Sequence, residues 1–154
     1  MCGFVIAIGN FSENELKHAT HSISYRGPDE TNFYFDDSIQ TKIGFNRLSI
    51  IDIEGGRQPF VSEDKNLIIA FNGEIYNSKE LRKEMELNSI RFRTKNSDTE
   101  VFLKGYEFWG SQIFNKIDGM FSVGILDKKK NKLVIARDKF GEKPLYYYLD
   151  KKNL

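Results

Sequence analysis

The chain has 154 residues, of which 40% are hydrophobic, 14% aromatic and 29% charged. That is one domain's worth of sequence with enough apolar mass for a sizeable core, and it excludes a disordered chain. Lysine plus arginine is 23 against 22 for aspartate plus glutamate, a formal net charge of +1, so bulk electrostatics gives no reason to expect nucleic acid or an anionic membrane as partner.

Residues 4–8 form a short, almost wholly apolar run rich in β-branched side chains, which suits a strand buried on both faces. The apolar stretch that contains it is far short of the ~20 residues that cross a bilayer and has no basic flank, so the chain reads as cytoplasmic, without a signal peptide. A helix is expected over 12–23, with Ser12 as N-cap, Glu15 three residues on, and Leu16, Ala19 and Ile23 on one face. Residues 25–30 read as a turn or loop, and strands are expected at 32–35, 42–45 and 67–71. Asn77 opens an amphipathic helix to about Leu87. Ser97-Asp98-Thr99-Glu100 is a capping box ahead of a helix whose apolar face is Val101, Phe102, Tyr106 and Trp109. A short helical piece at 113–117 precedes strands at 120–127, 132–136 and 145–149, the first two joined by a Lys-Lys-Lys-Asn hairpin turn at 128–131. That turn could also be read as a basic patch, but four residues at a turn are ordinarily just solvated. Strands in runs and helices in pairs favour an α+β fold over a doubly wound sheet. Residues 150–153 look like a further hairpin turn with no strand after it, as in a fragment of a longer protein.

His18 and His21 share a helical face but lack a third ligand nearby in sequence, so no metal site is expected. No glycine-rich phosphate loop is present, and Gly55-Gly56 reads as a turn, so the chain is not expected to bind ATP. A single cysteine excludes an intrachain disulfide and a cysteine-rich zinc site. Cys2 follows Met1 directly. With Met1 removed, its free α-amine would lie beside its own thiol and could act as the base that a thiolate nucleophile needs. The alternative is that Cys2 is a small buried hydrophobe at the start of a strand.

The rest of the sequence separates the two. Met1-Cys2-Gly3, Tyr25-Arg26-Gly27-Pro28-Asp29, Asn46-Arg47-Leu48-Ser49-Ile50-Ile51-Asp52, Gly56-Arg57-Gln58-Pro59, Phe71-Asn72-Gly73-Glu74-Ile75-Tyr76-Asn77, Ser97-Asp98-Thr99-Glu100, Asp118-Gly119-Met120-Phe121-Ser122 and the run from Arg137-Asp138 to Tyr146-Tyr147 occur in this order. Together they resemble the N-terminal glutaminase domain of glutamine-hydrolysing asparagine synthetases, among the class II (N-terminal nucleophile, Ntn-hydrolase) glutamine amidotransferases. The likeness covers nearly all of residues 1–154 as one type-2 amidotransferase domain. The Arg-Gly-Pro-Asp and Asn-Gly-Glu-Ile-Tyr-Asn versions look like asparagine synthetases rather than relatives serving purine, glucosamine or glutamate synthesis, and Cys2 argues against the β-lactam synthetases.

The resemblance implies a four-layer α/β/β/α sandwich with two antiparallel sheets between helical layers. It implies hydrolysis of L-glutamine to glutamate and ammonia through a thioester on Cys2, with Asn72 and the Gly73 N–H as oxyanion hole. Arg47 would clamp the substrate α-carboxylate, Asp98 with Glu74 would take the α-ammonium, and the backbone of Leu48, Ile50 and Ile51 would complete the pocket. Arg26 would brace the site. Bottom-up alternatives stay open at two points: Asp98 could serve only its helix cap, and Asn72-Gly73 could be a hairpin turn. The block from Arg137 to Tyr147 reads as mainly structural, with a share in a domain interface. No cofactor is implied for this chain. ATP and magnesium are expected only for a missing C-terminal synthetase domain, which with L-glutamine is the implied partner; a homodimer is compatible with the resemblance. Two other readings remain: an amidotransferase domain whose ammonia goes to another carboxylate, such as a surface-polysaccharide sugar, and a non-catalytic glutamine-binding module if Met1 is retained.

Overall fold

The computed structural model describes residues 1–49 and 55–149. One antiparallel sheet takes β1 (Gly3–Ile8), β2 (Glu30–Asp36) and β3 (Thr41–Arg47) in the order β1-β3-β2. The other takes β4 (Phe60–Val61), β5 (Leu67–Ile75), β6 (Gly119–Asp127) and β7 (Lys132–Arg137) in the order β4-β5-β6-β7. Helix α1 (Glu13–Ser22) packs on β1 and β3, whereas α3 (Asp98–Trp109) packs on β5 with α2 (Ser78–Leu87) and α4 (Ile113–Lys116) beside it. The sheets meet between these helical layers, which is the expected α+β sandwich.

Strand periodicity explains the two cores. Ile69, Phe71 and Ile75 on β5, with Phe121, Val123 and Ile125 on β6, face the helices, where Phe102 sets its ring against Phe71 and Phe121 at centroid distances of 5.5 and 5.4 Å. The intervening Ile68, Ala70 and Leu126 face Ile43 and Phe45 of the first sheet. Each large side chain so buried contributes about 1.5–3 kcal/mol on leaving water. Carried past Ala70, the same alternation places Asn72 on the inter-sheet face, register partner of Ser122, while Phe71 and Ile75 stay on the helical side. Asn72-Gly73 is therefore interior strand, and the hairpin-turn alternative is overturned.

The Ser12 cap forms as a full capping box: Ser12 Oγ accepts from the Glu15 N–H at 3.2 Å and Glu15 accepts from the Ser12 N–H at 2.7 Å. At α3 only half of the expected box forms. Ser97 Oγ accepts from the Glu100 N–H at 3.3 Å, but the buried Glu100 carboxylate accepts from the N–H groups of Arg93 and Thr94, both at 2.8 Å. Thr94 Oγ1 also donates to it at 2.6 Å, so a carboxylate that deep is spent on the loop ahead of the helix.

Two other expectations need correction. Strand β1 is only half-buried at Phe4, Val5 and Ile6, because it is an edge strand; β3, the middle strand, is buried at all seven positions. Residues 145–149 make no strand, and Tyr146, Tyr147 and Tyr148 are exposed: β-propensity expresses fit to a pleated surface and supplies no ladder by itself. The hairpin turn at 128–131 forms as expected, and its lysines make no free basic patch, since Lys128, Lys129 and Lys130 pair with Asp36, Asp64 and Asp127. His18 and His21 are exposed, and among the described residues no cluster of three potential ligands could hold a metal. The turn expected at 150–153 lies outside the described residues. No described helix is long and apolar enough to cross a membrane.

Candidate active site

A cavity of about 120 Å³ opens where the ends of β1, β3 and β5 meet the N-terminus of α3, lined among others by Cys2, Arg47, Leu48, Asn72, Gly73, Glu74 and Asp98. Since one water needs roughly 10–15 Å³ by this measure, the space suits a small polar molecule. Seven of the expected site residues thus converge from four separate motifs. Ile50 and Ile51 lie outside the described residues.

Cys2 sits just ahead of β1, whose first register pair is Gly3 with Asn46. Its Sγ accepts from the Leu48 N–H at 3.4 Å and lies 3.7 Å from the Leu48 carbonyl. Arg26 Nε donates to the Cys2 carbonyl at 3.2 Å, so Arg26 does brace the segment. The loop carrying Arg26 can press this close only because Gly27 has no side chain: a Cβ there would lie 2.4 Å from the Asn46 carbonyl oxygen. Asn46 locks the strand end, donating to the Thr20 carbonyl at 2.6 Å and accepting from Thr31 Oγ1 at 2.7 Å. Burial pushes the Cys2 thiol up from its ordinary value, and the Asp98 charge adds to that. The Leu48 N–H, the chain's cationic N-terminus and Arg47 pull the other way.

The Arg47 guanidinium is buried, with Nη1 3.5 Å from a Glu30 carboxylate oxygen. The Arg57 guanidinium takes Glu30's other oxygen at 3.4 Å. Across the cavity, Asp98 opens α3 and accepts from the Ile75 N–H at 3.3 Å. Burial, helped by the charge of Glu74, pushes the Asp98 carboxyl up to about 6 against the opposing N–H groups of Ile75 and Thr99. Asn72 is buried, and among the described residues no protein group occupies its amide. Gly73 lets β5 close on β6, since a Cβ would lie 2.2 Å from the Met120 carbonyl oxygen.

Gln58 and Lys143 are among the lining residues that were not expected. The Gln58 side chain accepts from the Phe71 N–H at 2.7 Å and donates to the Phe71 carbonyl at 2.9 Å, fixing β5 one residue before Asn72. The signal was present in the Gly-Arg-Gln-Pro run, but nothing in it gave Gln58 a task. Lys143 also reaches the pocket, so the Arg137–Tyr147 block is more than structural; its tyrosines are exposed.

A pocket with cations, carboxylates and a thiol around the Asn72 amide is chemically matched to an α-amino acid with a reactive distal carbonyl. The model of the glutamine amidotransferase domain family matches residues 1–154. The chain belongs to that family. It is 46% identical over 132 residues to asparagine synthetase [glutamine-hydrolyzing] 2 of Bacillus subtilis (strain 168), covering 86% of this chain and 17% of the relative. Asparagine synthetase [glutamine-hydrolyzing] 1 of the same organism is 44% identical over 154 residues, covering 96% and 24%. The corresponding protein 1 of Arabidopsis thaliana is 36% identical over 151 residues, covering 95% and 25%. The chain thus spans a quarter or less of these family members. Among solved structures, glutamine phosphoribosylpyrophosphate amidotransferase from B. subtilis superposes with a TM-score of 0.65 over 88% of this chain and 37% of that one, at 20% identity, a likeness of fold.

The raised Asp98 carboxyl makes a linkage prediction. The native empty pocket binds the proton more tightly than the unfolded chain, whose aspartates titrate near 3.9. Stability therefore falls as pH rises from about 4 to 6, and above that the native state carries a constant cost of roughly 2–3 kcal/mol. Asp98→Asn, which keeps an oxygen for the Ile75 N–H, should raise stability by about that amount at pH 8 and by little at pH 4. Urea unfolding at the two pH values checks this, and equal gains at both would remove burial of the charge as the cause.

Proposed function

We propose that this domain hydrolyses L-glutamine to glutamate and ammonia, with Cys2 as nucleophile after removal of Met1. The observation that carries the reading is that Arg47, from the end of β3, and Asp98, from the start of α3, line one pocket with Cys2 and with Asn72, whose amide has no partner among the described residues. The α-amine of Cys2 takes the Sγ proton, and the thiolate adds to the side-chain amide carbon of glutamine. The Asn72 amide and the Gly73 N–H stabilise the oxyanion so formed. The amine then gives its proton to the leaving nitrogen, ammonia departs, and water attacks the γ-glutamyl thioester to release glutamate and restore the thiol. Arg47 takes the substrate α-carboxylate, Asp98 with Glu74 the α-ammonium, and the backbone at Leu48, Ile50 and Ile51 closes the pocket.

These steps need no cofactor from this chain. In the longer protein, ammonia passes to a synthetase domain that amidates aspartate with ATP and magnesium; the names of the aligned relatives support that acceptor. Charge at both ends of the head group gives the test. Ammonia release should be efficient with free glutamine and reduced roughly 10²-fold or more in kcat/KM with N-acetylglutamine or glutamine amide, because each leaves one protein charge unpaired in a closed site. Comparable values for all three substrates would sink the pocket assignment.

A further inference from the structure

Loop 138–143 is built around one carboxylate. Asp138 accepts from the N–H groups of Phe121 and Phe140 at 3.1 Å each, of Glu142 at 2.9 Å and of Lys143 at 3.0 Å. Those donors hold its carboxyl below the usual range although burial opposes them. The backbone of Lys143 is therefore fixed, and Pro144 restricts it from the other side. The Lys143 side chain is buried and runs into the pocket, where its ammonium donates to Met1 Sδ at 2.8 Å. Among the described residues it has no carboxylate partner. A thioether is a weak acceptor, a poor return for burying an ammonium.

Met1 Sδ is five covalent bonds from the Cys2 nitrogen. Once Met1 is removed, that nitrogen becomes the α-amine, and the Lys143 ammonium loses its sulfur acceptor while lining the same pocket as Cys2. Resting on the glutaminase reading, we propose that Lys143 is a positioning residue for the proton transfer: its charge holds the Cys2 α-amine in the neutral, proton-accepting form. The other cations near Cys2 add to this charge, but each is turned to another acceptor. Arg26 is engaged with the Cys2 carbonyl and Arg47 faces Glu30, while Asp98 and Glu74 favour the protonated amine. An isolated amine with its ordinary pKa of ~7.7–8.0 would be mostly protonated at pH 7. A unit charge several ångströms away at a partly screened site lowers it by about one to two units.

The single cysteine makes the test specific. Protein labelled with ¹⁵N-cysteine, its N-terminus verified by mass, is titrated by NMR as wild type, Lys143→Met, Lys143→Gln and Lys143→Arg. The α-amine should titrate about one unit or more higher in the two neutral variants and near wild type in Lys143→Arg. The acid limb of kcat at saturating glutamine should move up by the same interval. An unmoved α-amine in folded neutral variants overturns the proposal, also if KM rises, since Lys143 would then only bind substrate. A mature protein whose amine titrates as expected but which releases no ammonia would instead sink the glutaminase reading. Retention of Met1 overturns both.

Discussion

Cys2→Ala should give a folded protein that still binds glutamine and releases no ammonia above background. The variant deletes one half-buried sulfur that packs against the inter-sheet core and meets the Leu48 backbone. Arg47 and Asp98, which hold the substrate's head group in the proposed reading, stay in place on β3 and α3. Binding and catalysis therefore separate. Without the thiol no thioester can form. Loss of a covalent nucleophile in other hydrolases costs roughly 10⁵–10⁶ in kcat. Calorimetric titration with glutamine, alongside ammonia release from the same preparation, measures both halves. A preparation that retains Met1 should behave like Cys2→Ala, because its α-amine is tied up in a peptide bond. Residual turnover in purified Cys2→Ala would defeat the nucleophile assignment.

The second large effect is at Asn72. Its amide faces the inter-sheet side of β5, held by pairing with Ser122 and by the Gln58 clamp on Phe71. A donor prepared in this way does little for a planar amide in the ground state and much for a tetrahedral oxyanion, so its removal falls on kcat. Asn72→Ala should lower kcat by about 10²–10³ with little change in KM, the size expected for one oxyanion donor. Gln58→Ala makes a useful companion, since it loosens the strand without touching the amide. A change confined to KM in Asn72→Ala would show that Asn72 only binds substrate.

How far the sequence already carried these features depends on which physical cause sets each one. Local chemistry was legible: the Ser12 capping box, the Lys-Lys-Lys-Asn turn and the strand at 67–71 are decided within a few residues. The site residues were legible through their motifs, and the structure gathers Cys2, Arg47, Asn72, Gly73, Glu74 and Asp98 into one pocket. What escaped depends on tertiary neighbours. The apolar run at 4–8 could not announce that β1 would lie at an edge. The serine, aspartate, threonine and glutamate ahead of α3 looked like a complete capping box, but the Glu100 carboxylate answers to Arg93 and Thr94. Tyr146, Tyr147 and Tyr148 have strand-forming side chains and no ladder to join. Gln58 and Lys143 act through contacts 13 and 142 positions away, at Phe71 and Met1, which no local pattern encodes.

That last separation bears on the order of events in folding. Bringing Lys143 to Met1 closes a loop of 142 positions, for which chain entropy alone charges roughly 4 kcal/mol before any contact is made. The β6–β7 hairpin and the ladder between β2 and β3 close far shorter loops and can form early. Neither contains a whole pocket: its walls come from both ends of the chain and from the middle. Return of ammonia release during refolding should therefore trail the return of secondary structure, making activity a reporter of the last long-range closure.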